Sequence, residues 1–353
     1  MKRSFGQVTA DPGPAAAPPN PHPRPDWLAR HIEPALDPDR PIIDPHHHLW
    51  DVAHPRYLLQ DIAADLDCGH RIRATVFVEA EAMYRAGGDP ALRPVGEVEF
   101  ANGVAAMSAS GLYGPTRICA GIVGHADLTL ADGVEPVLDA LLQAGGGRFR
   151  GVRHCSTHDP EVRMRWPRGL LRDPLFHTGF DRLQRRGLTF DAWMYHPQLD
   201  DLVALMQRFP EAKVVLNHMG GRIGIGRHAA DGDAAVQRWR AGMQRLAAFP
   251  NLHLKLGGLG MALAGFGFHT RAEPPTSAAL ADAWGPWMRE CIDMFGIARC
   301  MFESNFPVDK AACSYGVLWN AFKRIAAGCS PDEQHRLFFA NAAGFYRLPV
   351  EPG

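Results

Sequence analysis

Eight short apolar segments, each followed by a longer amphipathic one, constrain this chain more than any other feature. The strand candidates are residues 42–45, 74–78, 118–123, 149–153, 188–192, 213–217, 252–256 and 300–304. Several are β-branched or apolar throughout, as in strands buried on both faces. Helical spacing follows in 58–66, 96–108, 134–143, 174–186, 198–209, 234–249, 277–295 and 315–327. Eight strand–helix units predict an α/β chain folded as one (β/α)8 TIM-like barrel. A doubly wound open sheet is the rival, weakened because no G-x-G-x-x-G follows the first strand. A ninth helix, 332–343, is announced by Ser330-Pro331-Asp332-Glu333: a cap, a proline at the first position and acids in the first turn.

The ends and the composition narrow the class. Residues 1–27 carry seven prolines and almost no side chain able to build a core. They read as a disordered Pro-rich tail. We therefore expect a tail and lead-in over 1–38, with a short helix at best after Asp26, and a barrel domain over 39–349, the folded sequence opening at Pro41. Hydrophobic residues at 46% and charged residues at 21% supply a large core and exclude global disorder. A net charge of −1 argues against a nucleic-acid protein working through a basic surface. No run approaches the ~18 apolar residues of a membrane helix, and no apolar stretch follows the basic start as a secretory leader requires. The seven cysteines are scattered and form no CxxC pair, as in a reduced, cytoplasmic chain. A small-molecule substrate is the expected partner; a homo-oligomer is left open.

In such a barrel, chemistry gathers where strands end and βα-loops begin. The first strand ends Asp44-Pro45-His46-His47-His48. His46 and His48 share a face in extended chain and make half a site for Zn²⁺, Mn²⁺ or Fe²⁺; His47 faces away. The sixth strand ends Asn217-His218-Met219-Gly220 and the fourth Arg153-His154, so His218 and His154 are further candidates. On the eighth strand Glu303 and Asn305 share a face.

In this order, the motifs resemble the amidohydrolase-related family, in its lactonase branch of L-fuconolactonases and 2-pyrone-4,6-dicarboxylate lactonases. The resemblance runs from about Pro41 to Leu348. It is carried by Asp44-x-His46-x-His48-x-Trp50, Gly151-Val152-Arg153-His154, Val215-Leu216-Asn217-His218-Met219-Gly220, Leu254-Lys255-Leu256-Gly257-Gly258-Leu259, Phe302-Glu303-Ser304-Asn305-Phe306-Pro307 and Asn341-Ala342-Ala343-Gly344-Phe345-Tyr346. It implies a barrel hydrolase of lactones and a single divalent metal (Zn or Mn) on His46, His48 and His218, with metal-free catalysis the alternative.

One departure matters. The family carries Gly-Ser-Asp-Trp-Pro at strand eight, its Asp being metal ligand and base, whereas this chain has Asn305. A carboxamide takes no proton at neutral pH. Glu303, ~6.6 Å deeper on the same face, is one replacement; Asp191, His154 and His196 are others. Arginines crowd the loops: Arg153 at strand four, Arg163, Arg165 and Arg168 after it, Arg85 and Arg93 with Tyr84 after strand two, Arg222 and Arg227 after His218. Such clusters suit carboxylates. The expected substrate is thus a small carboxylated lactone or cyclic ester, contacted by Arg153, Tyr84, Arg85, Asp191, His196 and Lys255, with Glu303, Asn305 and His154 catalytic. The alternatives are a metal-dependent decarboxylase of a small acid and a catalytically silent metabolite-binding barrel. The glycine-rich segment 257–276 reads as a lid or as a fixed packing loop.

Overall fold

The computed structural model describes residues 21–51, 56–164 and 166–352. Eight parallel strands follow one another in chain order around a barrel: β1 (Ile42–His47), β2 (Ile72–Val78), β3 (Arg117–Gly124), β4 (Phe149–Cys155), β5 (Thr189–Trp193), β6 (Val214–Leu216), β7 (Leu252–Leu256) and β8 (Cys300–Phe302). The seam between β8 and β1 is short. His47 bridges to Phe306, the Asn305 amide donates to the His46 carbonyl at 2.9 Å, and the His48 amide donates to the Phe306 carbonyl at 2.8 Å.

Helices α1 (Leu59–Leu66), α2 (Val95–Ser108), α3 (Glu135–Ala144), α4 (Pro174–Arg185), α5 (Leu199–Arg208), α6 (Asp233–Ala247), α7 (Ser277–Phe295) and α8 (Tyr315–Ile325) each follow their strand. Helix α4 shows why. Asp173 accepts the Leu175 amide at 2.8 Å, Pro174 occupies the first position, and Phe176, Phe180 and Leu183 recur at helical spacing. The two phenylalanines meet Phe190 of β5 at 6.1 and 5.3 Å between ring centres. Burial of each such ring contributes roughly 1.5–3 kcal/mol.

Strand parity decides what enters the barrel. Along β4, Val152 and His154 face the helices while Arg153 faces the interior. The floor is closed by the C-terminal helical run 331–345, started by the reciprocal Ser330–Glu333 cap. Phe339, Ala342, Phe345, Tyr346 and Leu348 fill the interior below Ile43, Val76, Val78, Val215 and Met301.

The folded chain begins earlier than Pro41. Pro25–Leu28 forms one helical turn with Trp27 and Leu28 buried, and the Trp27 indole donates to the Ala272 carbonyl at 3.0 Å. The Ser277 amide donates to Glu33 at 2.7 Å, and the Leu36 amide donates to Asn320 at 2.7 Å. Side-chain bonds to distant segments hold this lead-in, which is why no periodicity announces it. Of the tail expected to be disordered, 1–27, residues 1–20 lie outside the described residues. Segment 257–276 is a packed loop: Phe266 and Phe268 stack and meet Trp284 edge-on, Arg271 covers Phe268 at 4.2 Å, and Leu263 accepts the Gly224 amide at 2.8 Å. Among the described residues no helix is long and apolar enough to cross a membrane.

Candidate active site

The structure brings His46, His48 and His218 together at the carboxyl ends of β1 and β6. The Nε2 atoms of His46 and His48 are 3.2 Å apart, and the His46 and His218 ring centres 4.6 Å. Glu303, just past β8, lies beneath them. Its Oε1 accepts both the backbone amide of His218, at 3.0 Å, and His218 Nδ1, at 2.7 Å. Its Oε2 stands 2.7 Å from His46 Nδ1, buried and without an aligned donor. Space for this carboxylate comes from β7: a Cβ on Gly257 would lie 2.4 Å from Glu303 Cγ, and one on Gly258, at φ +71°, 2.7 Å from the His218 ring.

The remaining ring nitrogens fix what the cluster can hold. His48 Nδ1 sits 2.7 Å from the Val78 carbonyl, which only accepts, so Nδ1 carries the proton and Nε2 presents a lone pair. His218 Nδ1 is likewise committed to Glu303, freeing its Nε2. Two nitrogen ligands ~2.0–2.1 Å from a tetrahedral ion stand about 3.3 Å apart, close to the His46–His48 separation. His46, His218 and Glu303 each offer a ligand atom within 4.8 Å of the others. The donor set fits a divalent ion. Burial, then the cationic neighbourhood of Lys255, His218, His48 and Arg153, holds the His46 imidazole well below its ordinary value; burial and Arg153 do the same for His48. Both are neutral and ligand-competent.

Below this cluster lies a second charged group. Lys255 donates to Asp191 at 2.7 Å and stands 3.3 Å from His46 Nδ1. Asp191 also accepts the Tyr346 hydroxyl at 2.8 Å and Asn217 Nδ2 at 3.2 Å. Lys255 and Asp191 are fully buried, as His46 and Glu303 are. Arg153 Nε donates to Glu79 Oε1 at 2.7 Å, a second nitrogen donates to the Glu79 carbonyl, and Nη1 stands 3.4 Å from His46 Nε2. Burial disfavours its charge, but Glu79 outweighs burial and raises its pKa. Its fork is therefore not open to a substrate carboxylate.

Asn305 adopts φ +55° and donates Nδ2 to Asp309 Oδ1 at 2.8 Å; the Gly260 amide donates to Asp309 Oδ2 at 3.0 Å. Burial pushes the Asp309 carboxyl up to about 7.

Other expected residues lie elsewhere. His154 is on the helix-facing side of β4, at 4.6 Å from Trp166 and 5.5 Å from Phe176, so it is no base for this cluster. His196 accepts the Ile223 amide at 3.2 Å and abuts His228; burial holds it at about 4. Arg85 pairs with Glu99 in solvent. Tyr84 keeps a buried hydroxyl without a partner. Arg163 and Arg165 fall where no side chain is described. Sequence reasoning missed Glu79, although it directly follows the run 74–78, at a strand's carboxyl end as His218 is. It also missed Asp309, one helical turn beyond Asn305.

A family model described as amidohydrolase matches residues 43–348. This chain belongs to the amidohydrolase family. An uncharacterized protein, y4mH, from Sinorhizobium fredii is 34% identical over 335 residues, covering 88% of this chain and 99% of that protein. An L-fucono-1,5-lactonase from Burkholderia ambifaria is 29% identical over 244 residues, covering 67% of this chain and 74% of the lactonase. An amidohydrolase structure from Burkholderia multivorans with bound zinc superimposes with a TM-score of 0.68 at 27% identity, over 87% of this chain and 99% of that one.

Proposed function

We propose that this amidohydrolase opens lactone rings with the help of one divalent metal held by His46, His48 and His218. The convergence of three imidazoles, two of them with Nδ1 bound elsewhere, carries this reading; similarity to fuconolactonases supports it. The ion would supply Lewis-acid polarisation of the carbonyl or an activated water. Water oxygen adds to the carbonyl carbon, the ring C–O bond breaks, and a hydroxy acid leaves.

The chain's own residues then have defined tasks. Arg153 Nη1, on the site side of its pair with Glu79, faces the oxygen on which negative charge develops. Glu303 is a positioning residue that keeps His218 Nε2 free of a proton. Asn305 has its Nδ2 committed to Asp309 and orients water through Oδ1 without taking a proton. Asp309, whose two oxygens accept from Asn305 Nδ2 and the Gly260 amide, holds that carboxamide in place, and the proton given up by the water ends on the released ring oxygen. The carboxylated substrate expected from the arginine loops loses its main carrier, since Arg153 is paired.

Metal analysis of protein purified without chelator, joined to a pH-stat assay on lactones, tests the proposal. We expect about one equivalent of metal, lost in His46→Ala and His218→Ala together with ring opening. Full turnover by metal-stripped protein would remove the metal; carbon dioxide release in place of acid would make the enzyme a decarboxylase.

A further inference from the structure

We infer that the lactone this enzyme prefers is uncharged and carries an apolar substituent, seated on a wall built by the loops after β5, β6 and β7. This deepens the lactonase reading and rests on it. Trp193, the last residue of β5, sets its ring edge-on to His218 with centres 4.6 Å apart, so the wall begins against the imidazole cluster itself. Tyr195 meets Trp193 at 5.7 Å. Tyr195 is buried with Ile223, Met261 and Leu263 in one apolar cluster, distinct from the helix-facing core, and Trp193 and Ile225 lie half-buried on it. The Gly224–Leu263 backbone bond ties the β6 loop to the β7 loop and holds the wall in place.

Three of the cations around this wall face carboxylates, and the fourth, Arg222, is engaged by a carbonyl and an indole. Arg153 is held by Glu79 and Lys255 by Asp191. Arg222 donates to the Ala264 carbonyl at 3.0 Å and lies over Trp287 at 4.1 Å. Arg227 reaches Asp159 at 3.1 Å. A carboxylate or a ring of hydroxyls laid on this surface would lose water and meet no cation free of a protein partner, a penalty that an alkyl or aryl arm does not incur. The same surface rewards each methylene it covers, so a four-carbon arm should raise kcat/KM on the order of 100-fold.

The test uses the full metal-supplemented chain and four lactones: δ-valerolactone, δ-nonalactone, L-fucono-1,5-lactone and 2-pyrone-4,6-dicarboxylate. We expect δ-nonalactone to exceed δ-valerolactone about 100-fold in kcat/KM and to exceed both polar lactones. Ile225→Arg should cut that advantage about ten-fold, through KM and not kcat. A polar lactone matching or beating δ-nonalactone overturns the inference, as does an advantage that Ile225→Arg leaves intact. If none of the four is opened, the lactonase reading falls. The wall is then judged by calorimetric binding of intact δ-nonalactone against the dicarboxylate: tighter δ-nonalactone sustains it, and tighter dicarboxylate ends it.

Discussion

Two charged layers lie one above the other inside this barrel, and they are finished to different degrees. In the lower layer Lys255, Tyr346 and Asn217 all donate to Asp191, and all four residues are fully buried. Its one cation faces its one anion. In the upper layer three imidazoles and Glu303 meet with lone pairs turned toward one another and a carboxylate oxygen that no aligned donor reaches. Buried polar groups are ordinarily satisfied, and the exceptions ask for an explanation. The lower layer, whose charges are paired and whose one unpartnered atom is Asn217 Oδ1, reads as a support. The upper one, with Glu303 Oε2 and the imidazole lone pairs facing one another, is the layer whose donor set suits a metal ion.

Three substitutions press on that contrast. Lys255→Met removes one partner of the closed layer and strands Asp191 as an unpaired buried charge. Breaking a buried pair in this way costs about 3–5 kcal/mol. Urea unfolding should show that loss; a change under ~1 kcal/mol would mean the lower layer is no support at all. Glu303→Gln acts on the open layer and keeps the shape. A carboxamide is neutral and has a single acceptor oxygen, so an NH₂ group must face either His46 Nδ1 or His218. Metal affinity should fall about 10–100-fold in a chelator competition while the unfolding midpoint barely moves. Equal affinity would place Glu303 with the structural carboxylates.

The smallest effect concerns a histidine belonging to neither layer. His154 is buried against Trp166 and Phe176 with both ring nitrogens unpartnered. Burial, then the His125 charge, holds its pKa well below the ordinary value. The unfolded chain takes up a proton below pH ~6.5 that the folded chain refuses, so stability is lost as pH falls through that value. His154→Phe should recover about 1–2 kcal/mol at pH 5, gain less at pH 8, and leave metal content alone. Denaturation midpoints at the two pH values measure it; a variant as acid-labile as its parent would refute the assignment.

The barrel was legible because its strands are continuous apolar runs, and the His46–His48 pair because strand parity has a period of two. The same parity separates Arg153 from His154, so placing both at the mouth ignored a rule that the sequence already contained. The partners of the arginines were not legible. Glu79 lies 74 residues from Arg153 in the chain, and only the closed barrel sets them side by side. Tyr346 carried the family's closing motif, but its reach to Asp191, 155 residues away, depends on how the last helical run enters the floor. Trp27 meets Ala272 across 245 residues, by a single indole bond that leaves no pattern.

The short seam between β8 and β1 has a consequence for how the enzyme comes into being. The residues that stitch it, His46, His48, Asn305 and Phe306, include two of the candidate ligands and the neighbour of Glu303. First and last strands must therefore meet before the imidazoles of β1 acquire their carboxylate. A chain leaving the ribosome makes its HxH motif some 250 residues before the strand that brings Glu303, and owns no working centre until then. Fragments ending before β8 should be inert, not partly active, and capture of the metal would act as a clasp that only a chain carrying β8 can close.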